Sequence, residues 1–502
     1  MKNSILLTAT LVLTVLPLAA REQPKGQPQR PRQSFEEFRK GLHDDYNSFR
    51  KEILDRYDKF LDGVWVNYEQ FKGEEADSRP KPRSAPKAEP GNATLSAHPL
   101  PSVPLPEAPA EKEIEPQKQT APQPTIPTVP TLVTTKPRGD FEFLFYETPV
   151  SMPDTDVKIA MRLSQTSDYA SQWRQLAKDT EVRVLMGEVE KKASEWGLND
   201  YLKYRLISSY IDARYAGADI SSRTSLKHFI LANMGYGVRL GLNAHGRPLL
   251  LVPCRQQVFA KMFIRIDGKK YYVFGTEDSD PSDSRNATIS TCQLPGNNNP
   301  GTDMDLRLNT LSLPYTPHSF TLSAAGLTVS GEINSAIFPV LYRYPQMPTA
   351  DFARSSVCPD VRDQIVSQLK TQLEGKDERE AVDTLLKFVQ EAFEYATDGD
   401  YHGFEKPYFF EETLFYPKCD CEDRAIFYTY LLWNVLGLEN HLINYPGHES
   451  ASVKLTTPIT GDAYEHQGAY FYISDPTFIG SRTGMCMPAY LTETPAIDLY
   501  YK

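Results

Sequence analysis

Apolar side chains recur along residues 35–71 at Phe35, Phe38, Leu42, Tyr46, Phe49, Ile53, Tyr57, Phe60, Val64, Tyr68 and Phe71. The steps are three or four residues and average about 3.6, the period of an α-helix, so the pattern predicts one long amphipathic helix over 34–73. Leu61 and Trp65 widen its stripe. So aromatic a stripe must pack on something: its own body, a second copy, or an envelope protein partner. The pattern then breaks. Fifteen of the chain's 39 prolines fall within 74–138, where apolar side chains are scattered. Such a stretch buries too little surface to fold, and proline stiffens it, so a disordered linker is expected.

From 139 onward the periods of two and of 3.6 alternate, which predicts an α+β chain. Strands are expected at 141–146 and 157–163. Helices follow at 173–196, 201–215 and 221–234, with Gly197 and Gly235 as stops. Strand-like runs come next at 238–242, 249–252, 262–266 and 271–274, and Asp267-Gly268 joins the last two as a hairpin. Short strands at 320–322 and 327–329 precede helices at about 359–374 and 377–396. The second of these carries Ala381, Leu385, Phe388, Val389, Ala392, Phe393 and Ala396 on one face. The organisation expected is an accessory α+β domain over 139–345 and a second domain over 346–502. An aromatic loop at 401–416 is expected either to wall a cleft or to pack over the domain edge.

The chemistry gathers in that second domain. Asp420-Cys421-Glu422-Asp423-Arg424 follows Pro417 and opens the apolar run 425–436, which Gly437 closes. This reads as a helix with an acidic first turn and a glycine stop, with Cys421 at its N-terminus. Unpaired N–H groups there favour a thiolate. His448 stands in Tyr445-Pro446-Gly447-His448, before the strand-like 451–455. Asp475 stands in Ser474-Asp475-Pro476-Thr477, after another strand-like run.

Cys-Glu-Asp-Arg on an apolar helix, Pro-Gly-His and Asp-Pro-Thr, in this order, resemble bacterial members of the transglutaminase-like superfamily over roughly 359–491. The resemblance implies a papain-like domain with helices packed beside the cysteine helix. It also implies a Cys421–His448–Asp475 triad working through a thioester. Cys421 would attack a carbonyl, His448 would move the proton, and Asp475 would hold the imidazole tautomer. The backbone N–H of Cys421 is the natural first oxyanion donor, with Tyr408 and Tyr416 as candidates for the second. Water as acceptor makes a protease or amidase acting on a peptide or protein substrate. A lysine amine makes a crosslinking acyltransferase, and a silent triad makes a binding or assembly module.

Each of the three residues also has a plainer reading. Cys421 can be a buried core thiol, His441 and His466 compete for the base, and Asp475 can start a turn. Asp420, Glu422 and Asp423 oppose a thiolate by like charge, and Arg424 is expected to pair with one of them. The helix at 221–234 with its following strands parallels the cysteine region, Ser222 standing in the place of Cys421, so the middle domain can be read as a degenerate repeat of the same fold.

Composition narrows the field further. A formal net charge of −11 over 502 residues, with no basic patch, argues against nucleic acid. Lys2, the apolar stretch 5–18 and Ala19-Ala20 read as a signal peptide over 1–20. The stretch is too short for a membrane anchor, and no cysteine follows the cut. A periplasmic or secreted protein without a transmembrane anchor is therefore expected. Of the six cysteines, five remain once Cys421 is set aside, so at least one more thiol is unpaired. No cofactor or metal is expected, since Cys419 and Cys421 have no second pair at zinc-ligand spacing.

Overall fold

The computed structural model describes residues 48, 51–52, 68–79, 81–82, 139–275, 288–292 and 301–502. The expected signal peptide, most of the 34–73 helix and the linker beyond residue 82 lie outside these. The chain divides into two units, Met1–Ile53 and Leu54–Lys502. Ser48, Lys51 and Glu52 of the first are helical. The second is α+β.

Strand β1 (Tyr68–Lys72) and the hairpin β2 (Asp140–Phe145)–β3 (Thr148–Pro153) lead into four helices: α1 (Thr166–Lys178), α2 (Thr180–Trp196), α3 (Asp200–Arg214) and α4 (Ile220–Asn233). Strands β4 (Arg239–Leu242), β5 (Pro248–Val252), β6 (Phe263–Ile266), β7 (Lys269–Phe274) and β8 (Thr288–Cys292) follow. They form a sheet with β1 in the order β1-β8-β4-β5-β7-β6.

The hairpin β9 (Pro317–Ala324)–β10 (Leu327–Asn334) opens the second half. Helices α5 (Phe338–Tyr342), α6 (Thr349–Ala353), α7 (Pro359–Leu373) and α8 (Glu378–Ala392) come next. The short pair β11 (Glu394–Tyr395) and β12 (Lys418–Cys419) flanks α9 (Asp398–Tyr401). Helix α10 (Cys421–Leu436) then leads into β13 (Asn440–Tyr445), β14 (His448–Val453), β15 (Ala463–His466), β16 (Ala469–Ile473) and β17 (Ala496–Tyr501). Their order is β15-β16-β14-β13-β17.

The two sheets follow one plan. In each, a helix leads into four strands ordered first, second, fourth, third, with a fifth strand antiparallel to the first. The third and fourth strands keep the same register, Phe263 opposite Tyr272 and Ala463 opposite Tyr472. Both hairpin turns have left-handed residues, Asp267 and Gly268 at 51° and 79°, Gln467 and Gly468 at 50° and 78°. Ser222 lies three residues past the N-cap Asp219 of α4, whereas Cys421 lies one past the N-cap Asp420 of α10.

Four expectations are corrected. Residues 68–72 are strand rather than helix end, because they pair with β8 along the whole of β1. Residues 74–82 are not free linker, since Glu74 bridges Phe263 and the Asp77 carbonyl accepts from Ala260 N at 2.9 Å. Residues 157–163 form no strand, because side chains satisfy their backbone donors. Val157 N donates to Tyr215 Oη, Lys158 N to Asp179 Oδ2, Ala160 N to Gln172 Oε1 and Leu163 N to Ser221 Oγ. The helix expected over 173–196 is two, broken at Asp179, whose carboxylate caps α2 through Glu181 N.

One apolar core runs through both halves, from Phe143 and Trp173 to Phe427 and Leu442. Helix α7 covers β10 and α8 covers β9, so the hairpin 317–334 packs with the C-terminal helices. Helix α10 is buried nearly all round against β13, β14, α7 and α8. Its burial fixes where its N-terminus points.

Candidate active site

Cys421 is the first residue of α10. Asp420, with extended backbone, is the N-cap, and its N–H donates to Asp423 Oδ2 at 3.2 Å. The thiol is 1% exposed. It donates to Glu422 Oε2 at 3.1 Å, and the Glu449 backbone N–H faces the sulfur.

His448 is placed by a two-residue turn. Tyr445 and His448 are opposed across Pro446-Gly447, and Gly447 has φ of 76°, a left-handed conformation that favours glycine. His448 Nε2 and Asp475 Oδ2 lie 2.8 Å apart. Nε2 is thereby engaged, and Nδ1 is the other ring nitrogen. Asp475 is itself held: Oδ1 accepts from Thr477 N at 2.8 Å and Phe478 N at 3.3 Å, and its carbonyl accepts from Gln390 Nε2 at 3.1 Å. The imidazole stacks on Tyr490 at 5.3 Å and 7°, and Tyr490 stacks on Tyr445 at 4.7 Å.

Cys421 and His448 line one cleft of about 210 Å³. That is smaller than the ~300–1,000 Å³ of ordinary ligand pockets, and Arg79 and Pro82 form part of its wall. The competing histidines lie elsewhere. His441 is fully buried, bonded to Tyr464 Oη at 2.7 Å and stacked on Phe471, and burial pushes it down to about 3. His466 packs edge-on to the His441 ring and is also lowered by burial.

The charges around the thiol oppose its ionisation. Burial, then Glu422 and Asp420, hold Cys421 well above an ordinary thiol, against a lowering contribution from the Glu449 N–H. Asp420 and Asp423 are fully buried and held well above the carboxylate range, first by burial, then by Glu422 and Asp423 at Asp420 and by Asp398 and Glu422 at Asp423. Both Asp420 oxygens lack a hydrogen-bond partner. Arg424 does not pair with these acids as expected. It donates to the carbonyls of Phe393 at 2.8 Å and Gln390 at 3.3 Å and lies over the Tyr395 ring. It faces carbonyls at the C-terminal end of α8 rather than the carboxylates.

Asp398, Asp420 and Asp423 bring carboxylate oxygens within 4.8 Å of one another, as do Asp398, Glu405 and Glu422. An all-oxygen donor set suits a hard divalent cation. Protonation answers the same repulsion, and burial with Glu422 pushes Asp398 up to about 7. The described cysteines Cys254, Cys358, Cys419, Cys421 and Cys486 are free thiols.

Tyr408 and Tyr416 do not line the cleft. Tyr408 Oη donates to the Lys418 carbonyl and contacts His402 Nε2, and both rings sit in an aromatic cluster with His402 and Tyr342. Within the 401–416 loop these rings pack against the body, while Phe404, Glu405, Lys406 and Pro407 wall a second cavity of about 230 Å³ with Tyr342 and Phe352. Gln390, Tyr490, Glu449 and Arg79 are site residues that the sequence pattern does not single out. A glutamine inside the apolar face of α8 is the one available signal. No protein-family description, curated protein or solved structure matches the chain.

Proposed function

We propose that the chain is an exported cysteine hydrolase of transglutaminase-like type that cleaves a peptide or protein amide. The observation that carries this reading is Cys421 and His448 on one cleft, with His448 bound through Nε2 to Asp475. Cys421 Sγ gives its proton to His448 Nδ1 and adds to the carbonyl carbon. The C–N bond breaks as the leaving amine takes that proton, leaving a thioester. Water, deprotonated by His448, then adds to the thioester and releases the acid and the thiol. Asp475 keeps the imidazole tautomer and offsets its transient charge. The Tyr490 and Tyr445 stack holds the ring plane. The same plan of helix and strands in the first sheet supports reading the middle domain as a degenerate repeat that lacks the triad.

A second reading, a silent binding or assembly module, is favoured by the almost fully buried thiol, the acidic side chains around it and its hydrogen bond to Glu422. Treating the protein with iodoacetamide over a pH series that extends above ~8.5 and mapping the labelled peptides separates the two. Selective labelling of Cys421 over Cys419, lost in Cys421→Ala with the fold retained, is the expected result. Equal or absent labelling of the folded protein leaves the silent module as the better account.

A further inference from the structure

The residues just after β1 cross the body and end in the cleft. Glu74 N donates to the Phe263 carbonyl at 2.8 Å, and its carboxylate meets Arg265 Nε at 3.1 Å. Asp77 binds Gln257 Nε2 at 2.9 Å and Lys270 Nζ. These anchors deliver Arg79, whose side chain is only 6% exposed. Its three nitrogens are all engaged: Nη1 donates to the Met347 carbonyl, Nη2 to Thr349 Oγ1 at 2.7 Å, and Nε lies 3.7 Å from Glu422 Oε1. The guanidinium also faces the Phe259 ring at 5.9 Å.

The wall opposite Arg79 is acidic. Glu422, Glu449 and Asp498 line the cleft beside Cys421. Glu449 is 3% exposed; its Oε2 accepts from Asn444 Nδ2 at 2.5 Å, while Oε1 is buried with no hydrogen-bond partner. The other charges bearing on these groups are Arg354 near Asp498, and Glu405 beside Glu422, itself under the influence of Lys81. Carboxylates this buried are met by a proton or by a counter-charge, and Arg79 brings a counter-charge to this wall. A planar guanidinium with forked donors suits the mixed wall of carboxylate, carbonyl and hydroxyl better than an ammonium does.

We propose that the cleft beside Cys421 is a guanidinium-recognition site, that Arg79 fills it in cis as a plug, and that the substrates are peptides presenting an arginine to it in trans. This rests on the cysteine-hydrolase reading. The plug and the substrate compete for one site, so the site's availability to an outside ligand is set by the fraction of molecules in which Arg79 has left.

The test uses the full chain and its Arg79→Ala variant, with circular dichroism to establish folding. The rate of iodoacetamide labelling at Cys421 is measured with and without Nα-acetyl-arginine methylamide, and with its uncharged citrulline counterpart. Arg79→Ala is expected to label at least about tenfold faster than wild type, as an opened site should. The arginine compound, and not the citrulline one, is expected to slow that labelling, and Asp498→Asn added to Arg79→Ala is expected to erase the difference. Should Arg79→Ala not fold, Asp77→Ala loosens the plug from outside the cleft and is expected to change labelling in the same direction. Unchanged labelling in a folded Arg79→Ala or Asp77→Ala protein overturns the plug. Equal protection by the two compounds overturns the guanidinium site. Selective protection with no hydrolysis of arginyl peptides by Arg79→Ala keeps the site and removes the hydrolase reading beneath it.

Discussion

Cys421 carries opposing influences within a few ångströms. The α10 N-terminus and the Glu449 N–H favour a thiolate, and burial with Glu422 and Asp420 opposes it. Burial, reinforced by the acids, prevails, so thiol labelling is expected to climb with pH beyond the ordinary thiol range near ~8.5. A negative neighbour stabilises the protonated form. Glu422→Gln should therefore lower the thiol's pKa and move the midpoint of the labelling-versus-pH curve to lower pH. An upward or absent shift removes Glu422 as the group that suppresses the thiol. For turnover, His448→Ala is expected to cost roughly 10²-fold or more, the usual contribution of a general base. Asp475→Asn should harm turnover more than labelling, because the amide holds the ring without offsetting its charge. If His441→Ala or His466→Ala proved as damaging as His448→Ala in a folded protein, the base would be misassigned.

The helices around the cysteine are tied by a buried ion pair rather than by apolar packing alone. Glu411 accepts from Arg362 Nε at 2.7 Å and Nη2 at 2.9 Å, and also from the N–H groups of Val357 and Cys358. Neither partner is more than 3% exposed. It joins the start of α7 to residues 410–414, which pack on α10. Removing one partner strands a buried charge, so Glu411→Ala should cost about 3–5 kcal/mol in urea denaturation. The exposed pair Lys387–Glu391, at 3.8 Å, is the control; breaking it should cost at most about 0.5 kcal/mol. A Glu411→Ala cost as small as the control's would mean that the pair holds nothing together.

Across the whole second unit, the first residues of the proline-rich stretch belong to the body. A protease cut between 83 and 138 should therefore leave the N-terminal fragment attached through β1, Glu74 and Asp77. The two pieces are expected to co-elute on size exclusion and to part only in denaturant. Separation in plain buffer would show that pairing along β1 cannot hold the segment by itself.

Features set by neighbours along the chain are legible in the sequence alone. The glycine stop after α10, the hairpin at Asp267-Gly268 and the mixed helix–strand pattern all arise from local periodicity and turn chemistry. Features set by distant partners are not. Residues 68–71 carry apolar side chains at helical spacing, yet their backbone pairs with β8, more than 200 residues away. Residues 157–163 look like a strand, yet the side chains of Gln172, Asp179, Tyr215 and Ser221 take their hydrogen bonds. Arg79 reaches Met347 and Thr349 across 268 and 270 residues. A backbone donor or a buried cation can be satisfied by many partners of equal chemistry. Local sequence sets that need, and long-range packing chooses which partner arrives.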